Sequence, residues 1–180
     1  MCIRDRYNTV LGYTALSACV DGDFNTAIGH QSLLNYEGGD GEGNNTAVGH
    51  NSGVHVSTGE SNTYIGTKAG QGISGARLTG DNNTAVGKDT GLLLQGAVTN
   101  STFLGAGAGK AVTTGNANTL IGTDAGSDGS NDLTDGNSNV CIGESTGVSA
   151  SGAVNQTVIG TNTTGQADNS VTLGNASVTA

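Results

Sequence analysis

Three histidines are the residues best suited to acid–base chemistry in this 180-residue chain. His30, His50 and His55 could each be combined on paper with a serine and an aspartate into a hydrolytic triad. His30 and His50 follow the same glycine in neighbouring copies of a repeated phrase, where other copies have tyrosine, threonine, lysine or glutamate. A position that accepts such different side chains is typical of an exposed surface. We therefore expect no catalytic residues.

Two acidic segments could supply oxygen ligands to a cation. GGDGEG at 38–43 partly matches the calcium-binding nonapeptide GGxGxDxUx, but it occurs once and has Glu42 where that motif has aspartate. That motif shares each ion between consecutive turns, so a single copy favours a solvated loop. We expect no metal and no cofactor, and weak calcium binding by these loops is the alternative. The other acids of the two segments are Glu37, Asp40, Asp128, Asp132 and Asp135.

The remaining candidate motifs carry no chemistry. GAGAG at 105–109 lacks the Lys-Ser/Thr ending of a phosphate-binding loop, and Lys110 alone does not supply it. Cys2, Cys19 and Cys141 do not follow the spacing of metal ligands. Cys141 occupies a repeat slot that holds alanine, tyrosine or valine elsewhere, so we expect a buried thiol that behaves as a small hydrophobic residue.

A repeated phrase determines where all of these residues lie. NTAIG at 25–29 returns as NTAVG at 45–49 and 83–87, as NTYIG at 62–66, and in looser forms such as STFLG at 101–105. Its glycine occurs ten times, at intervals of 14 to 21 residues, which indicates internal repetition. The ten structural glycines are Gly12, Gly29, Gly49, Gly66, Gly87, Gly105, Gly122, Gly143, Gly160 and Gly174.

Each copy of the phrase predicts a short β-strand. Alternate residues of a strand point to opposite faces, so in NTAIG the threonine and the isoleucine share one face and the alanine takes the other. We predict that the threonine and the aliphatic residue form the narrow core of stacked coils. The predicted aliphatic core residues are Leu11, Ile28, Val48, Ile65, Val86, Leu104, Ile121, Ile142, Ile159 and Leu173. The opposite, lateral face is also apolar or small, so both faces require burial.

Three further features of the repeat constrain the coil. The asparagine before the strand predicts a ladder whose amides bond turn carbonyls in successive coils. The glycine after the strand predicts a positive φ or a close backbone approach at a corner. A small residue three positions later, such as Ser32 or Ala69, predicts a second short strand in a crowded coil interior.

Composition disfavours other architectures. With 32 glycines, no tryptophan, four tyrosines and two phenylalanines, the chain cannot fill the thick core of a sandwich or a helical bundle. Disorder is the alternative for such a composition, but it needs no repeat register, and this chain keeps one. We predict an all-β fold, a β-solenoid or β-roll of about ten short coils, with loops at 37–44, 72–81 and 127–137. Ten coils would form a rod of roughly 45 Å.

The partners of this rod follow from its charge and its second apolar face. The net charge of −9 disfavours nucleic acid, because binding phosphates requires a basic surface. No apolar run approaches the roughly eighteen residues of a membrane helix. The lateral face suggests that identical chains supply the missing burial, as a parallel homotrimer.

The two ends differ from the repeat. Residues 1–6, MCIRDR, match the translation of a transposon-type sequencing adapter, AGATGTGTATAAGAGACAG, read from its ATG. We expect the authentic sequence to begin near Tyr7 and residues 7–180 to be a repeat segment of a longer chain from a metagenomic fragment. Without residues 1–6, four basic and fourteen acidic residues give a net charge of −10. The last residues, NASVTA, also end without a polar cap.

Two families have similar repeats. NSVTLGNAS at 169–177 and SNVCIGEST at 138–146 resemble the head repeat of trimeric (YadA-like) autotransporter adhesins, whose core runs Asn-Ser-Val-Ala-Ile-Gly. The adhesin head has a shorter period, which only the last interval here, 14 residues, matches. NNTAVG at 44–49 and 82–87 more strongly resembles the repeats of phage and prophage tail-fibre proteins. In those proteins a segment like DNSVTLGNASVTA often precedes an endosialidase-type chaperone domain.

The resemblance implies a trimeric, elongated, surface-exposed structure used for attachment, and not an enzyme. We expect a segment of a phage or prophage tail fibre, on the virion tail, that takes part in host-surface recognition. The alternative is the head of a trimeric adhesin on the bacterial cell surface. In either case the partner would be a host receptor or glycan, contacted through the loops or through a tip outside this chain.

Two other functions fit the sequence less well. A polysaccharide depolymerase would need clustered carboxylates and aromatic sugar platforms, and only Tyr13, Tyr36, Tyr64 and Phe103 are available nearby. Ice binding would need a flat array of exposed threonines. We assign the repeated threonines to the core, and no Thr-x-Thr array runs through the copies, so ice binding is disfavoured.

Overall fold

Ten parallel strands stacked in chain order make up a β-solenoid. The computed structural model describes residues 7–178, in which every strand has three residues and pairs with the strand of the next coil. The predicted all-β solenoid of about ten coils is confirmed, and residues 7–178 contain no helix. The expectation about residues 1–6 lies outside the described residues. The strands are β1 Thr9–Leu11, β2 Thr26–Ile28, β3 Thr46–Val48, β4 Thr63–Ile65, β5 Thr84–Val86, β6 Thr102–Leu104, β7 Thr119–Ile121, β8 Val140–Ile142, β9 Thr157–Ile159 and β10 Val171–Leu173.

The repeated phrase sets the register of this sheet. Thr26 pairs with Thr9 on one side and with Thr46 on the other. The phrases are 17 residues apart on the first side and 20 on the second, so the extra residues are accommodated outside the strands. Equivalent side chains are therefore stacked along the rod at the strand spacing of about 4.8 Å.

A ladder of buried asparagines joins the coils, as predicted. Asn83 donates its backbone N–H to Asn62 Oδ1 (2.9 Å) and its Nδ2 to the Val98 carbonyl (2.6 Å). Its own Oδ1 accepts the backbone N–H of Ser101 (3.1 Å). Each amide thus satisfies groups in two neighbouring coils that would otherwise be buried without partners. The asparagines of the ladder are Asn25, Asn45, Asn62, Asn83, Asn118 and Asn139.

In strands β2 to β9 the middle residue is buried in the core, and the predicted choice of face was therefore wrong. Ala27, Tyr64 and Phe103 are completely buried, whereas Leu11 is 68% and Leu104 46% exposed. The residues predicted as the aliphatic core instead lie on the outward face, where each is exposed or half-buried. They are Leu11, Ile28, Val48, Ile65, Val86, Leu104, Ile121, Ile142, Ile159 and Leu173.

The asparagine ladder explains why the faces are reversed. Asn25 and Ala27 are two positions apart, and residues two apart in a strand share a face. Because the amide of Asn25 is buried among coil carbonyls, Ala27 must also point inward and Thr26 outward. Both faces of the phrase are apolar, so the hydrophobic pattern alone could not make this choice.

Glycines make room for the large inward side chains. A Cβ on Gly109 would lie 2.9 Å from the ring of Phe103, and one on Gly70 would overlap the ring of Tyr64. In the coil of Ala27, the position equivalent to these glycines is Leu33, which is also fully buried. In these three coils a large residue at one position accompanies a small residue at the other.

The corner after each strand requires glycine. Gly87 has a φ of 137°, and a Cβ there would lie 2.6 Å from the carbonyl oxygen of Gly105 in the next coil. Both expectations for this position are confirmed. The predicted second strand is wrong: Ser32 and most of its equivalents lie in turns, and after Thr146 and Thr163 there is only an isolated parallel bridge between Gly147 and Thr164. Ser32 is buried in its turn and donates its hydroxyl to the Ala47 carbonyl at 2.7 Å.

Candidate interaction face

The outward side chains of the ten strands form one continuous surface, which we call the strand face. Eight of its twenty side chains are threonines, twelve are aliphatic and none is charged. All twenty are exposed or half-buried. The strand face consists of Thr9, Leu11, Thr26, Ile28, Thr46, Val48, Thr63, Ile65, Thr84, Val86, Thr102, Leu104, Thr119, Ile121, Val140, Ile142, Thr157, Ile159, Val171 and Leu173.

The chemistry of the strand face is that of an interaction surface. Ten strands of three residues cover about 45 Å by 10 Å, or about 450 Å², within the range of the largest apolar patches on monomeric proteins. The threonine hydroxyls of the strand face make no hydrogen bond to any other residue in 7–178. Depletion of charge is what distinguishes the centre of a protein interface from ordinary surface.

Aromatic rings flank the strand face in the first coils. After the corner glycines, Tyr13 stacks on His30 (ring centroids 5.6 Å apart) and His30 stacks on His50 (5.1 Å). We call these three residues the ring ladder. Before the strands, Tyr7 stacks on Phe24 with centroids 5.0 Å apart. The sequence showed that Tyr13, His30 and His50 share a repeat position, but not that register would stack their rings.

The three histidines do not form one site. His30 and His50 are exposed, as expected, whereas His55 is half-buried in the segment that returns to the next strand. The Nδ1 atom of His55 lies 3.2 Å from the Asn35 amide nitrogen. Burial lowers the pKa of His55, and the nearby Arg77 guanidinium lowers it further. None of the three has a hydrogen bond to a serine or aspartate within residues 7–178.

Acidic side chains of the first insertion are used within the fold. Glu42 accepts the backbone N–H of Gly39 at 2.8 Å, and Glu37 pairs with Arg77 of the second insertion at 3.0 Å. Across residues 7–178, no cluster of three or more histidine, cysteine, aspartate or glutamate side chains has the arrangement of a metal site.

The later insertion is held by Asp128. Its Oδ1 accepts the N–H groups of Ser130 and Asn131, each at 2.8 Å, and its Oδ2 accepts the Thr164 hydroxyl at 2.9 Å. Partial burial alone would raise the pKa of Asp128, but these hydrogen bonds outweigh it and the pKa is lowered. The other two acids are likewise engaged locally: Asp132 accepts from Gly129, and Asp135 from Thr134. The Asp128 carboxylate therefore has a structural role, because it joins its own loop to Thr164 of another coil.

The remaining candidates are parts of the core. Tyr36, Tyr64 and Phe103 are fully buried and cannot serve as sugar platforms, which leaves Tyr13, 73% exposed. Cys141 is fully buried, as predicted, and burial raises the pKa of its thiol to about 12. The segment 105–109 forms a corner and the turn after it.

Comparisons with known proteins add no family to these observations. No protein-family model matches the chain, and neither the curated proteins nor the solved structures gave a match. Residues 7–178 contain no helix long and apolar enough to cross a bilayer.

Proposed function

We propose that this chain is a structural segment of a trimeric surface fibre, with the strand face as the contact between its three copies. The observation that carries the proposal is the strand face itself, an uncharged surface of aliphatic and threonine side chains along all ten coils. The most specific form of the proposal is a phage or prophage tail fibre that takes part in host attachment. A trimeric adhesin head is the alternative within the same class.

Self-association accounts for the chemistry of the strand face better than solvent exposure does. The fourteen acidic and four basic residues from position 7 onward all lie off the strand face, although the chain carries a large net charge. A surface that stays in water should include some of them. The aliphatic row, from Leu11 to Leu173, is unbroken in all ten strands. Two further copies of the rod would cover it without requiring any other partner.

The number three comes from the resemblance of the repeats to trimeric fibres and adhesin heads. Three flat strand faces directed at a common axis form a closed assembly, in which no copy of the face stays exposed. The insertions at 37–44, 72–81 and 127–137 belong to the segments between strands, so they stay available for contact with a host receptor or glycan.

Ice binding is the second candidate, because eight of the ten strands present a threonine outward. The reason for disfavouring it from sequence, that the threonines form the core, is overturned by the structure. The threonine row is interrupted by Val140 and Val171, however, whereas the aliphatic row is continuous. The two candidates use the same face and exclude each other. A monomer with thermal hysteresis would support ice binding, and a trimer without it supports the fibre.

The gene neighbourhood tests the choice of fibre. Long-read sequencing across both ends of the reading frame should find a downstream endosialidase-type chaperone domain and adjacent virion genes. A coiled-coil stalk followed by a membrane barrel would instead identify an adhesin. Neither arrangement, with genes of an unrelated pathway around the frame, would contradict the proposal.

A further inference from the structure

We propose that His30 and His50 form a surface site for a divalent transition-metal ion of the group that imidazole binds well, Zn²⁺, Cu²⁺ or Ni²⁺. The site stands apart from the fibre proposal, because it depends only on the coil register and on two side chains of the ring ladder.

The solenoid backbone fixes the separation of the two histidines. His30 and His50 each follow a corner glycine in consecutive coils, and the Asn51 N–H donates to the His30 carbonyl at 2.9 Å. The Gly49 N–H donates to the Ile28 carbonyl at 2.8 Å on the other side of the pair. Hydrogen bonds thus hold the two α-carbons on both sides, and the spacing is a property of the rigid coil stack.

The separation of the two rings allows one shared ion once the rings rotate. The imidazole centroids are 5.1 Å apart and the ring planes differ by 17°. Nitrogen ligands lie about 2.0–2.1 Å from zinc, so two of them around one tetrahedral ion are about 3.4 Å apart. The lone pair of each nitrogen lies in its ring plane, so both rings must rotate out of the stack, by roughly 50° each, before one nitrogen of each can bind the same ion. Both side chains are exposed, so this rotation is open to them, and the ion then sits at the solvent edge of the pair.

Both imidazoles are free to bind. Neither His30 nor His50 has a side-chain hydrogen bond or an ion pair to any residue within 7–178, and both are exposed. Tyr13 covers the remaining face of His30 and limits how far that ring can turn away. His55 differs on both counts, because it is half-buried and its Nδ1 faces the Asn35 amide.

The donor set determines which ion is expected. Imidazole nitrogen suits zinc, copper and nickel, whereas calcium and magnesium prefer oxygen ligands. The part of the chain that the structure describes supplies no third histidine, cysteine or carboxylate to this pair. Water must therefore complete the coordination. Such a site exchanges its metal readily, unlike the closed four-ligand sites that stabilise small folds.

Calorimetric titration of the full chain with zinc chloride at about pH 7.5 tests the proposal. We expect saturable binding of one ion per chain, weakened at least about tenfold in His30→Gln and equally in His50→Gln. The matched control is His55→Gln, which should bind as the original chain does.

Two results would overturn the proposal. One is the absence of saturable binding up to about 1 mM zinc. The other is binding that survives His30→Gln or His50→Gln, or that falls equally in His55→Gln. A second readout separates binding from damage to the fold. Zinc should raise the melting temperature of the original chain and of His55→Gln, because the ion binds only the stacked coils. Neither His30→Gln nor His50→Gln should show that shift, although without metal both should melt at the same temperature as the original chain.

Discussion

Replacing Asn83 by alanine should destabilise the solenoid strongly, because its side chain is completely buried and hydrogen-bonded. Asn83 Oδ1 accepts the Ser101 N–H, and its Nδ2 donates to the Val98 carbonyl and to Asn62 Oδ1. Alanine removes all three bonds. The Ser101 N–H and the Val98 carbonyl then lose these partners, whereas Asn62 Oδ1 keeps the backbone N–H of residue 83.

The expected loss of stability follows from these two groups, which remain buried without a hydrogen-bond partner. A buried donor or acceptor left without a partner costs about 1–3 kcal/mol. Two of them, and the small void left by the amide, give a loss of about 3–5 kcal/mol in the free energy of unfolding. That is a large part of the stability of a typical domain, about 5–15 kcal/mol.

Serine is the matched control, because the chain already uses it in this slot. Ser101 occupies the same repeat position, where its Oγ accepts the Asn118 N–H at 3.2 Å and donates to the Thr99 carbonyl at 3.3 Å. Asn83→Ser should therefore keep part of both roles and lose less than Asn83→Ala. The measurement is urea unfolding followed by circular dichroism. An alanine variant within about 1 kcal/mol of the original chain, or a serine variant no better than alanine, would refute the reasoning.

Three further predictions follow from buried groups. Tyr36→Phe should leave stability unchanged or raise it by about 1 kcal/mol in the same urea assay, because the buried Tyr36 hydroxyl has no hydrogen-bond partner within residues 7–178; a loss of that size would contradict this. Cys141, with a pKa raised to about 12 by burial, should react with a thiol reagent only in denaturant, and rapid labelling of the native chain would be the contrary result. His55 has a pKa below its ordinary 6.5 in the fold, so the unfolded chain binds more protons and stability should fall as pH drops below about 6.5. His55→Gln should flatten that dependence between about pH 7 and 5, and an equal slope in both proteins would count against it.

The architecture was predictable because the same phrase recurs along the chain, and equivalent residues of successive copies pair with one another. A strand of three residues, a corner glycine and an asparagine ladder all follow from the phrase NTAIG, and the structure has each of them. The choice of inward face was not read correctly, because threonine and isoleucine look more like a core than alanine does. The correct signal was that Asn25 and Ala27 are two positions apart and so share a face. If the amide of Asn25 is buried, Ala27 must point inward as well.

The packing inside each coil was harder to predict than the strands. The glycines that accept the rings of Tyr64 and Phe103 are Gly70 and Gly109, which lie in the turns after the strands and meet the rings only when the coil closes. The second predicted strand fails for a similar reason. Ser32 lies in a turn, where its carbonyl accepts the Leu16 N–H of the preceding coil and its hydroxyl donates to the Ala47 carbonyl of the next, so the coils are joined there without a regular strand.

The central claim is that the strand face is buried between three copies of the chain, and the native mass in solution tests it most directly. One chain has a mass of 17.6 kDa, so sedimentation equilibrium should give three times 17.6, about 53 kDa. Ile121→Lys places a charge at the middle of the strand face and should give a folded species of one-chain mass. The matched control, Thr123→Lys, adds the same charge two residues away, beyond the corner glycine, and should keep the trimer. A well-folded original chain with a mass near 17.6 kDa would contradict the account.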